Sequence, residues 1–303
     1  MPYFNTQKDK VQILLSTYNG EKWLDDLFTS LFEQSYQNWQ LIVRDDGSCD
    51  KTIDIVKQWQ QQYPNKIKLI NDGKHLGSKL SFNQLVEQAT APYLMFCDQD
   101  DVWHKTKIYL QMDVMKEKER IHKKSTPILV HSDMEIVNQQ LKKQHSSFWK
   151  LRGFRLQQAK QDYLVQNVVS GNSCLFNRAA ADLAFPIDHQ AMEHDRWLAL
   201  CIAWFGVVQA VHLPLLKYRQ HTDNQIGAFV HKTNIKKSVK AWSTQAAYFL
   251  QRYHQQMPPH EQKTLLALAN LYKTNWLKRR IILIKENIRK NGLLPNLALL
   301  LMA

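Results

Sequence analysis

A cluster of carboxylates directly follows an apolar segment near residue 100. Tyr93–Cys97 is a short apolar run typical of a buried strand, and three of the next four residues are acidic: Asp98, Asp100 and Asp101. Like charges this close repel and raise each other's pKa unless a cation or hydrogen-bond donors neutralise them. An Asp-x-Asp pair at a strand end offers the oxygen ligands that Mg²⁺ or Mn²⁺ prefers, and the ion can then bind phosphates. For any single pair of this kind, a solvated acidic turn is the alternative.

Two earlier strand-like segments also end in polar clusters. Residues 11–16 run into Thr17, Tyr18 and Asn19, and residues 40–44 run into Asp45 and Asp46. Helical spacing of apolar residues separates these runs from each other and from the later strand-like segments 67–70 and 93–97. This alternation predicts an α/β fold with a parallel sheet and helices on both faces. Because parallel strands present their carboxyl ends at one edge, the clusters are expected to meet in one crevice.

Composition indicates a folded globular protein of one large domain, or of one domain with an appendage. The chain has 303 residues, of which 44% are apolar. Its four cysteines are scattered without a CxxC pair, which argues against a zinc cluster or disulfide framework and favours a reducing cytoplasm. Neither GxGxxG nor GxxxxGK[ST] occurs, so dinucleotide-binding and P-loop chemistry are not expected.

Two segments bear on membrane insertion. The polar amino terminus lacks the apolar stretch of a signal peptide. Residues 197–216 are long enough to span a bilayer, but they contain Gln209, His212 and Pro214. We therefore predict a buried helix to about Phe205, a turn at Gly206 and then a buried strand.

The charge is concentrated near the carboxyl terminus. Residues 231–303 hold thirteen Lys or Arg against two acids, so they carry most of the net charge of +13. Within residues 275–290 an apolar helical stripe lies beside a basic face; the stripe is Leu277, Ile281, Ile284 and Ile288, and the basic residues are Lys278, Lys285 and Arg289. Such a helix can dock on an anionic bilayer. Alternatively, its apolar stripe covers the main domain, and the apolar run 293–303 forms a shallow anchor or an oligomer contact.

Six motifs occur in order along the chain: STYNG (16–20), RDDGSCDKT (44–52), FCDQDDVW (96–103), SGNS (170–173), EHDRWLAL (193–200) and YRQH (218–221). Together they resemble glycosyltransferase family 2 of the GT-A fold, and within it the bacterial rhamnosyltransferase-like branch. The resemblance covers roughly residues 11–225. It implies a Rossmann-like, mostly parallel sheet in a catalytic domain of residues 1–225, followed by a basic helical region of residues 226–303.

The resemblance implies a nucleotide-sugar site at the polar strand ends. Its residues would be Thr17, Tyr18, Asn19, Asp45, Asp46, Asp98, Asp100 and Asp101, with Lys79 and Arg219 as candidate phosphate contacts. Asp100, Asp98 and His221 would hold Mg²⁺ or Mn²⁺, and Asp100 is favoured as the direct ligand. A structural role remains the alternative for His221, and a strand-ending turn with a helix cap remains the alternative for residues 46–48.

The resemblance also implies an acceptor side. Asp195 would be the general base that takes the proton of the acceptor hydroxyl, with Glu193 as the second candidate. Gly171, Asn172 and Trp197 would contact the acceptor. Alternatively, Asp195 is an acid favoured by the helix dipole, and Trp197 is a core residue at helical spacing.

The expected function is that of an inverting, metal-dependent glycosyltransferase. It would transfer L-rhamnose from dTDP-L-rhamnose to a hydroxyl of a surface polysaccharide or lipid-linked oligosaccharide, at the inner face of the cytoplasmic membrane. A UDP-hexose or UDP-N-acetylhexosamine donor is the alternative within the same fold. A non-catalytic protein that binds nucleic acid or an anionic surface is the alternative of another class. Nucleic acid is not expected as a partner, because acidic strand ends repel phosphates unless a metal intervenes.

Overall fold

The first half of the fold is a parallel sheet with intervening helices. The computed structural model describes residues 9–222, 235–290, 296, 297 and 299. Its first strands are β1 (Val11–Thr17), β2 (Trp39–Asp45), β3 (Ile67–Ile70) and β4 (Tyr93–Cys97), and the helices between them are α1 (Leu24–Phe32), α2 (Thr52–Gln62) and α3 (Ser78–Gln88). All pairings among these strands are parallel. Thr17 pairs with Asp45, and Leu15 pairs with Cys97, so the polar clusters do lie at one edge.

The second half of the chain adds antiparallel pairings to the sheet, which is therefore mixed. Its elements are β5 (Val102–Trp103), α4 (Lys107–His122), β6 (Ile128–Val137), β7 (Lys143–His145), α5 (Phe148–Arg152), β8 (Cys174–Asn177), α6 (Arg178–Ala184), α7 (His194–Phe205) and β9 (Val207–Arg219). The strand order is β3-β2-β1-β4-β8-β6-β9-β5, with β7 beside β6. β8 runs antiparallel to both neighbours because it begins at the edge where β4 ends.

Alternation along the strands builds a core on each face of the sheet. Leu14 and Phe96 are fully buried on one face, while Ile13 and Met95 are fully buried on the other. Neighbouring residues of a strand point to opposite faces, so both faces must be covered when the whole strand is apolar. The continuous apolar runs seen in the sequence therefore report strands buried on both sides.

The structure confirms the interpretation of residues 197–216. α7 ends at Phe205, and β9 begins at Val207. Gly206 lies against Pro127, and a Cβ atom there would come within 2.0 Å of the Pro127 carbonyl oxygen. In the described part of the chain, no helix is long and apolar enough to cross a membrane.

The basic region is helical where it is described. It contains α8 (Ile235–Tyr253), α9 (Pro259–Ala269) and α10 (Trp276–Lys285). α8 packs on α7, with the Tyr248 ring centroid 4.8 Å from that of Trp197. The boundary predicted between residues 225 and 226 lies outside the described residues.

Candidate active site

A cleft of about 420 Å³ opens at the carboxyl ends of the central strands. Seven of the predicted site residues line it: Tyr18, Asp46, Asp98, Asp100, Gly171, Glu193 and Asp195. They come from five separate segments of the chain. The parallel sheet brings the first four together, and the start of α7 closes the opposite wall.

His221 and Asp100 are neighbours at one end of this cleft. The His221 Nε2 atom lies 2.8 Å from Asp100 Oδ2. The imidazole is also stacked on Trp23, with the ring centroids 4.9 Å apart. Arg219 anchors the acidic loop after β4, since its Nε donates to the backbone carbonyl of Asp100 at 2.8 Å. Arg219 is thus engaged with protein groups, and its Nη2 also donates to Asp26.

The remaining acids of the cluster, Asp98 and Asp101, repel each other, and Asp101 is fully buried. Burial, together with the charges of Asp100 and Asp195, raises the pKa of Asp98 to about 8. Burial, together with the charges of Asp100 and Asp98, raises the pKa of Asp101 well above its usual range. A nearby cation would remove this penalty, because an opposite charge favours the ionised carboxylate.

The donor set fits a hard divalent cation. Carboxylate oxygens suit both Mg²⁺ and Mn²⁺, whereas an imidazole is a ligand for a transition metal such as Mn²⁺ rather than for Mg²⁺; substrate phosphates and water would complete the coordination. Asp100, Asp98 and His221 are the residues that would hold it. Among the described residues, no three His, Cys, Asp or Glu side chains already converge as a complete metal site.

Asp101 and Asn172 form a buried link behind the cleft. Asn172 Nδ2 donates to Asp101 Oδ2 at 2.5 Å, and both side chains are almost fully buried. The bond joins the acidic loop after β4 to the Gly171–Ser173 turn that precedes β8. These two predicted site residues therefore position the walls of the cleft.

Asp195 lies on the opposite wall and is held by backbone groups. Its Oδ2 accepts a hydrogen bond from the Gly171 N–H at 3.2 Å, and its Oδ1 accepts one from the Arg196 N–H at 2.6 Å. Burial raises its pKa to about 6, and the Glu193 charge adds to this effect. A carboxylate with this pKa is a suitable general base near neutral pH.

One end of the cleft combines an aromatic wall with a fixed carboxylate. The Tyr18 and His75 ring centroids are 4.7 Å apart. The Gln99 side-chain amide accepts a hydrogen bond from the Tyr18 N–H and donates one to the Tyr18 carbonyl, each at 2.9 Å. Burial opposes ionisation of Asp46, but hydrogen bonds from the Leu76 N–H, from Arg44 and from other donors outweigh it and lower the pKa of Asp46. The carboxylate is thus fixed and ionised beside the rings.

Other predicted residues support the cleft from outside it. The Thr17 hydroxyl donates to Asp45 at 2.9 Å, and both side chains are fully buried. Asp45 also accepts from the Gly47 and Ser48 N–H groups, so its oxygens hold the loop after β2. Asn19 Oδ1 accepts a hydrogen bond from the Cys49 N–H at 2.9 Å, which ties the loop after β1 to the loop after β2.

Lys79 and Trp197 lie away from the predicted contacts. Lys79 Nζ donates to the carbonyls of His189 and Ala191, at 2.8 Å each, and so anchors the loop before α7. Trp197 is fully buried and its Nε1–H donates to the Ala184 carbonyl. Trp197 faces α8 and does not line the cleft. It is therefore a core residue, as the alternative interpretation of the sequence predicted, and not an acceptor contact.

Sequence reasoning missed several lining residues. His75, Phe82, Gln99 and His194 all face the cleft. His194 stacks on Phe82 at 4.0 Å and its pKa is lowered to about 3 by burial, so it is neutral. Gln99 lies within the motif FCDQDDVW, and His194 lies within EHDRWLAL. Their place in these motifs is the sequence signal that could have identified them as lining residues.

Solved structures share the fold of this protein. Staphylococcus aureus TarS, residues 1–349 in complex with UDP-GlcNAc, matches with a TM-score of 0.59 and 15% identity, covering 91% of this chain and 80% of that one. The mannosyltransferase PcManGT of Pyrobaculum calidifontis, in complex with GDP-Man and Mn²⁺, matches with a TM-score of 0.52 and 17% identity, covering 96% and 78%. The chain has the GT-A fold.

The sequence model described as "Glycosyl transferase family 2" matches residues 12–184. The chain belongs to this family. It is 26% identical over 225 residues to the uncharacterized glycosyltransferase alr2836 of Nostoc sp., covering 71% of this chain and 66% of that protein. It is 32% identical over 105 residues to the dTDP-rhamnosyl transferase RfbG of Shigella flexneri, covering 33% and 36%. The chain thus matches less than two thirds of the length of either relative.

Proposed function

We propose that the protein is an inverting, metal-dependent glycosyltransferase that uses a nucleotide sugar. One observation carries this proposal: Asp195 and the acidic loop after β4 line the same cleft and face each other across it. Asp98 and Asp195 are close enough that the charge of Asp195 raises the pKa of Asp98. A base on one wall and diphosphate-binding groups on the other are what a displacement at a sugar carbon requires.

In the proposed reaction the chain's own residues orient donor and acceptor. Tyr18 and His75 flank the base of the nucleotide, and Asp46 accepts a hydrogen bond from it. Asp100, Asp98 and His221 would hold Mg²⁺ or Mn²⁺, and the bound ion would offset the negative charge on the departing diphosphate. Gly171 fixes the orientation of Asp195 through its N–H.

Asp195 then moves the proton. It accepts the hydrogen of the acceptor hydroxyl while that oxygen forms a bond to the anomeric carbon. The bond from this carbon to the diphosphate oxygen breaks, and its electron pair leaves with the nucleoside diphosphate. Because attack and departure occur on opposite faces of the sugar, the anomeric configuration is inverted.

The proposed donor is dTDP-L-rhamnose. It is supported by the rhamnosyltransferase-like motifs and by the similarity to RfbG over a third of this chain. A UDP-hexose or UDP-N-acetylhexosamine is the second candidate, since the structurally similar TarS was solved with UDP-GlcNAc. One fold hosts many donor specificities, so the donor must be measured.

A panel of nucleotide sugars, assayed for binding and hydrolysis with and without Mn²⁺, tests the proposal. We expect metal-dependent binding of dTDP-L-rhamnose and slow release of dTDP. Preference for a UDP sugar would replace the donor and keep the enzyme class. If no nucleotide sugar binds at millimolar concentration in the presence of metal, the transferase proposal fails and the non-catalytic alternative gains support.

We further propose that α10 docks the protein on an anionic membrane surface, where a lipid-linked acceptor is available. Leu277, Ile281 and Ile284 are 53%, 56% and 66% exposed, so this side of the stripe does not cover the main domain. Ile288, the fourth member, is buried. The exposed stripe is accompanied by Lys278 and Lys285, which are exposed too. Apolar side chains flanked by cations match a bilayer surface with anionic lipids.

Vesicle co-sedimentation tests this surface. Full-length protein with Leu277, Ile281 and Ile284 changed to Gln is compared with wild type and with Leu266→Gln, a control that alters an exposed leucine of α9. Wild type and the control should sediment with anionic vesicles and be released by salt, and the triple variant should not. Equal sedimentation of all three would overturn the proposal. Loss of a dimer in the triple variant, without vesicle binding by wild type, would assign the stripe to a second copy.

A further inference from the structure

Trp23 is an aromatic residue that the proposed reaction does not use, and it contacts a candidate metal ligand. Its ring is stacked on the His221 imidazole, with the centroids 4.9 Å apart and the planes inclined by 24°. The same imidazole has its Nε2 atom 2.8 Å from Asp100 Oδ2. His221 therefore contacts a ring and a carboxylate, and both come from distant parts of the chain.

Hydrogen bonds fix the backbone that carries the Trp23 ring. The Trp23 N–H donates to the Gly20 carbonyl at 3.0 Å, and the Trp23 carbonyl accepts from the Leu27 N–H at 3.2 Å. The Gly20 N–H donates in turn to the Thr52 hydroxyl at 2.7 Å, which ties this turn to the start of α2. The half-buried indole thus projects from an ordered turn that directly precedes α1.

A buried cation also contacts the Trp23 ring. The guanidinium carbon of Arg219 lies 4.7 Å from the ring centroid, a distance at which a cation and an aromatic face attract each other. The guanidinium donates to the carbonyls of Asp100 and Gln139 and to the carboxylate of Asp26. Because these bonds immobilise Arg219, it provides a second fixed contact that keeps the indole in place.

Stacking orients an imidazole without occupying its nitrogens. The lone pair of a ring nitrogen lies in the plane of the ring, whereas the contact with Trp23 is made by the face. The contact with Asp100 depends on what lies between Nε2 and the carboxylate, but the stack is the same with a proton or an ion there. A ligand side chain that is held before the ion arrives loses less conformational freedom on binding.

We propose that Trp23 is a positioning residue of the metal site, which holds the His221 imidazole with Nε2 directed toward Asp100. This inference rests on the proposed metal-dependent function and adds a residue to it. Trp23 acts through His221 and touches neither the ion nor the substrate.

Titration of Mn²⁺ into wild type, Trp23→Leu, Trp23→Phe and Trp276→Leu tests the inference. Leucine removes the ring and phenylalanine keeps one. Trp276 is the matched control, because it too has an arginine over its ring, Arg280 at 4.3 Å, but is 59% exposed on α10. Trp23→Leu should bind Mn²⁺ about three- to tenfold more weakly, the range expected when one side chain must be ordered on binding. Trp23→Phe should recover most of the affinity, and Trp276→Leu should match wild type.

A double-mutant cycle with His221→Asn separates positioning from a general effect on the fold. If Trp23 acts through the imidazole, Trp23→Leu should not weaken Mn²⁺ binding further once His221 has been replaced. An equal loss in both backgrounds would overturn the inference, since Trp23 would then act on the fold and not on the histidine. Thermal unfolding of the four proteins checks that each is folded at the temperature of the titration.

Tryptophan fluorescence gives a second readout that needs only the conservative variant. Mn²⁺ is paramagnetic and quenches a nearby indole, so wild type should lose a larger fraction of its emission than Trp23→Phe. Trp276→Phe should lose as much as wild type, and EDTA should restore the emission in each case. Equal fractional losses in wild type and Trp23→Phe would mean that the ion does not bind beside Trp23, and the inference would fail.

The outcomes distinguish this inference from the proposed function. Equal Mn²⁺ affinity in wild type and Trp23→Leu would remove Trp23 from the site and leave the transferase proposal unchanged. If wild type binds no Mn²⁺, alone or with dTDP or UDP, the inference and the metal dependence fail together. Metal-independent hydrolysis of a nucleotide sugar would then still support the transferase.

Discussion

His221 Nε2 lies 2.8 Å from Asp100 Oδ2 although 121 positions separate the two residues. The antiparallel pairing of β5 with β9, in which Val102 faces Lys217, brings these two segments together. The imidazole and the carboxylate thus meet because β5, which has two residues, pairs with the end of β9.

The pair is expected to govern metal-dependent donor binding. Asp100→Asn or His221→Asn should weaken nucleotide-sugar binding in Mn²⁺ at least tenfold, because each removes a ligand suited to the ion. Binding without metal should change little. Isothermal titration of the donor with and without Mn²⁺ measures both. His189→Asn, which alters a histidine whose side chain is 83% exposed, is the matched control; unchanged binding in both site variants would remove these residues from the metal site.

Asp195→Asn should abolish transfer and leave donor binding intact. The amide cannot take a proton at neutral pH, and loss of a general base costs about 10²–10⁴-fold in rate. Single-turnover transfer and donor titration are the measurements. Asp182→Asn, at a side chain that is 67% exposed on α6, is the control and should retain full rate. Retained transfer in Asp195→Asn would move the base to another group, with Glu193 the next to test.

The transfer rate should fall in acid. Burial, with the Glu193 charge, raises the pKa of Asp195 to about 6. The base works only when ionised, so activity is present above this pKa and decreases about tenfold per pH unit below it. A profile of kcat/KM for the acceptor from pH 4.5 to 8 at saturating donor and metal checks the sign. A rate that stays level down to pH 4.5 would contradict the assignment.

Gly206→Ala should destabilise the fold without altering the cleft. The added Cβ would meet the Pro127 carbonyl oxygen at 2.0 Å, so the junction of α7 and β9 must shift. Overpacking of this kind costs about 1–3 kcal/mol, which urea unfolding can measure. Gln58→Ala is the control, since it adds no atoms and alters an exposed side chain of α2. Equal losses in the two variants would mean that the contact with Pro127 is unimportant.

The local sequence predicted the parallel half of the sheet well. Continuous apolar runs such as Tyr93–Cys97 specify strands buried on both faces, and polar residues at their ends mark the edge where ligands bind. The break of residues 197–216 at Gly206 was likewise readable, because glycine ends the helical pattern. The mixed half was not predicted, since the direction of β8 depends on where the preceding loop returns to the sheet.

What the sequence alone determined was the set of chemical groups and their order along the chain: the acids after β4, the Glu193 and Asp195 pair, and the histidine after β9. Side-chain roles depended on the tertiary structure. It turned Thr17 and Asp45 toward each other, buried Trp197 against α8, and joined Asn172 to Asp101 behind the cleft. Residue type fixes what a group can do, but burial and neighbours, which come from distant parts of the chain, decide what it does.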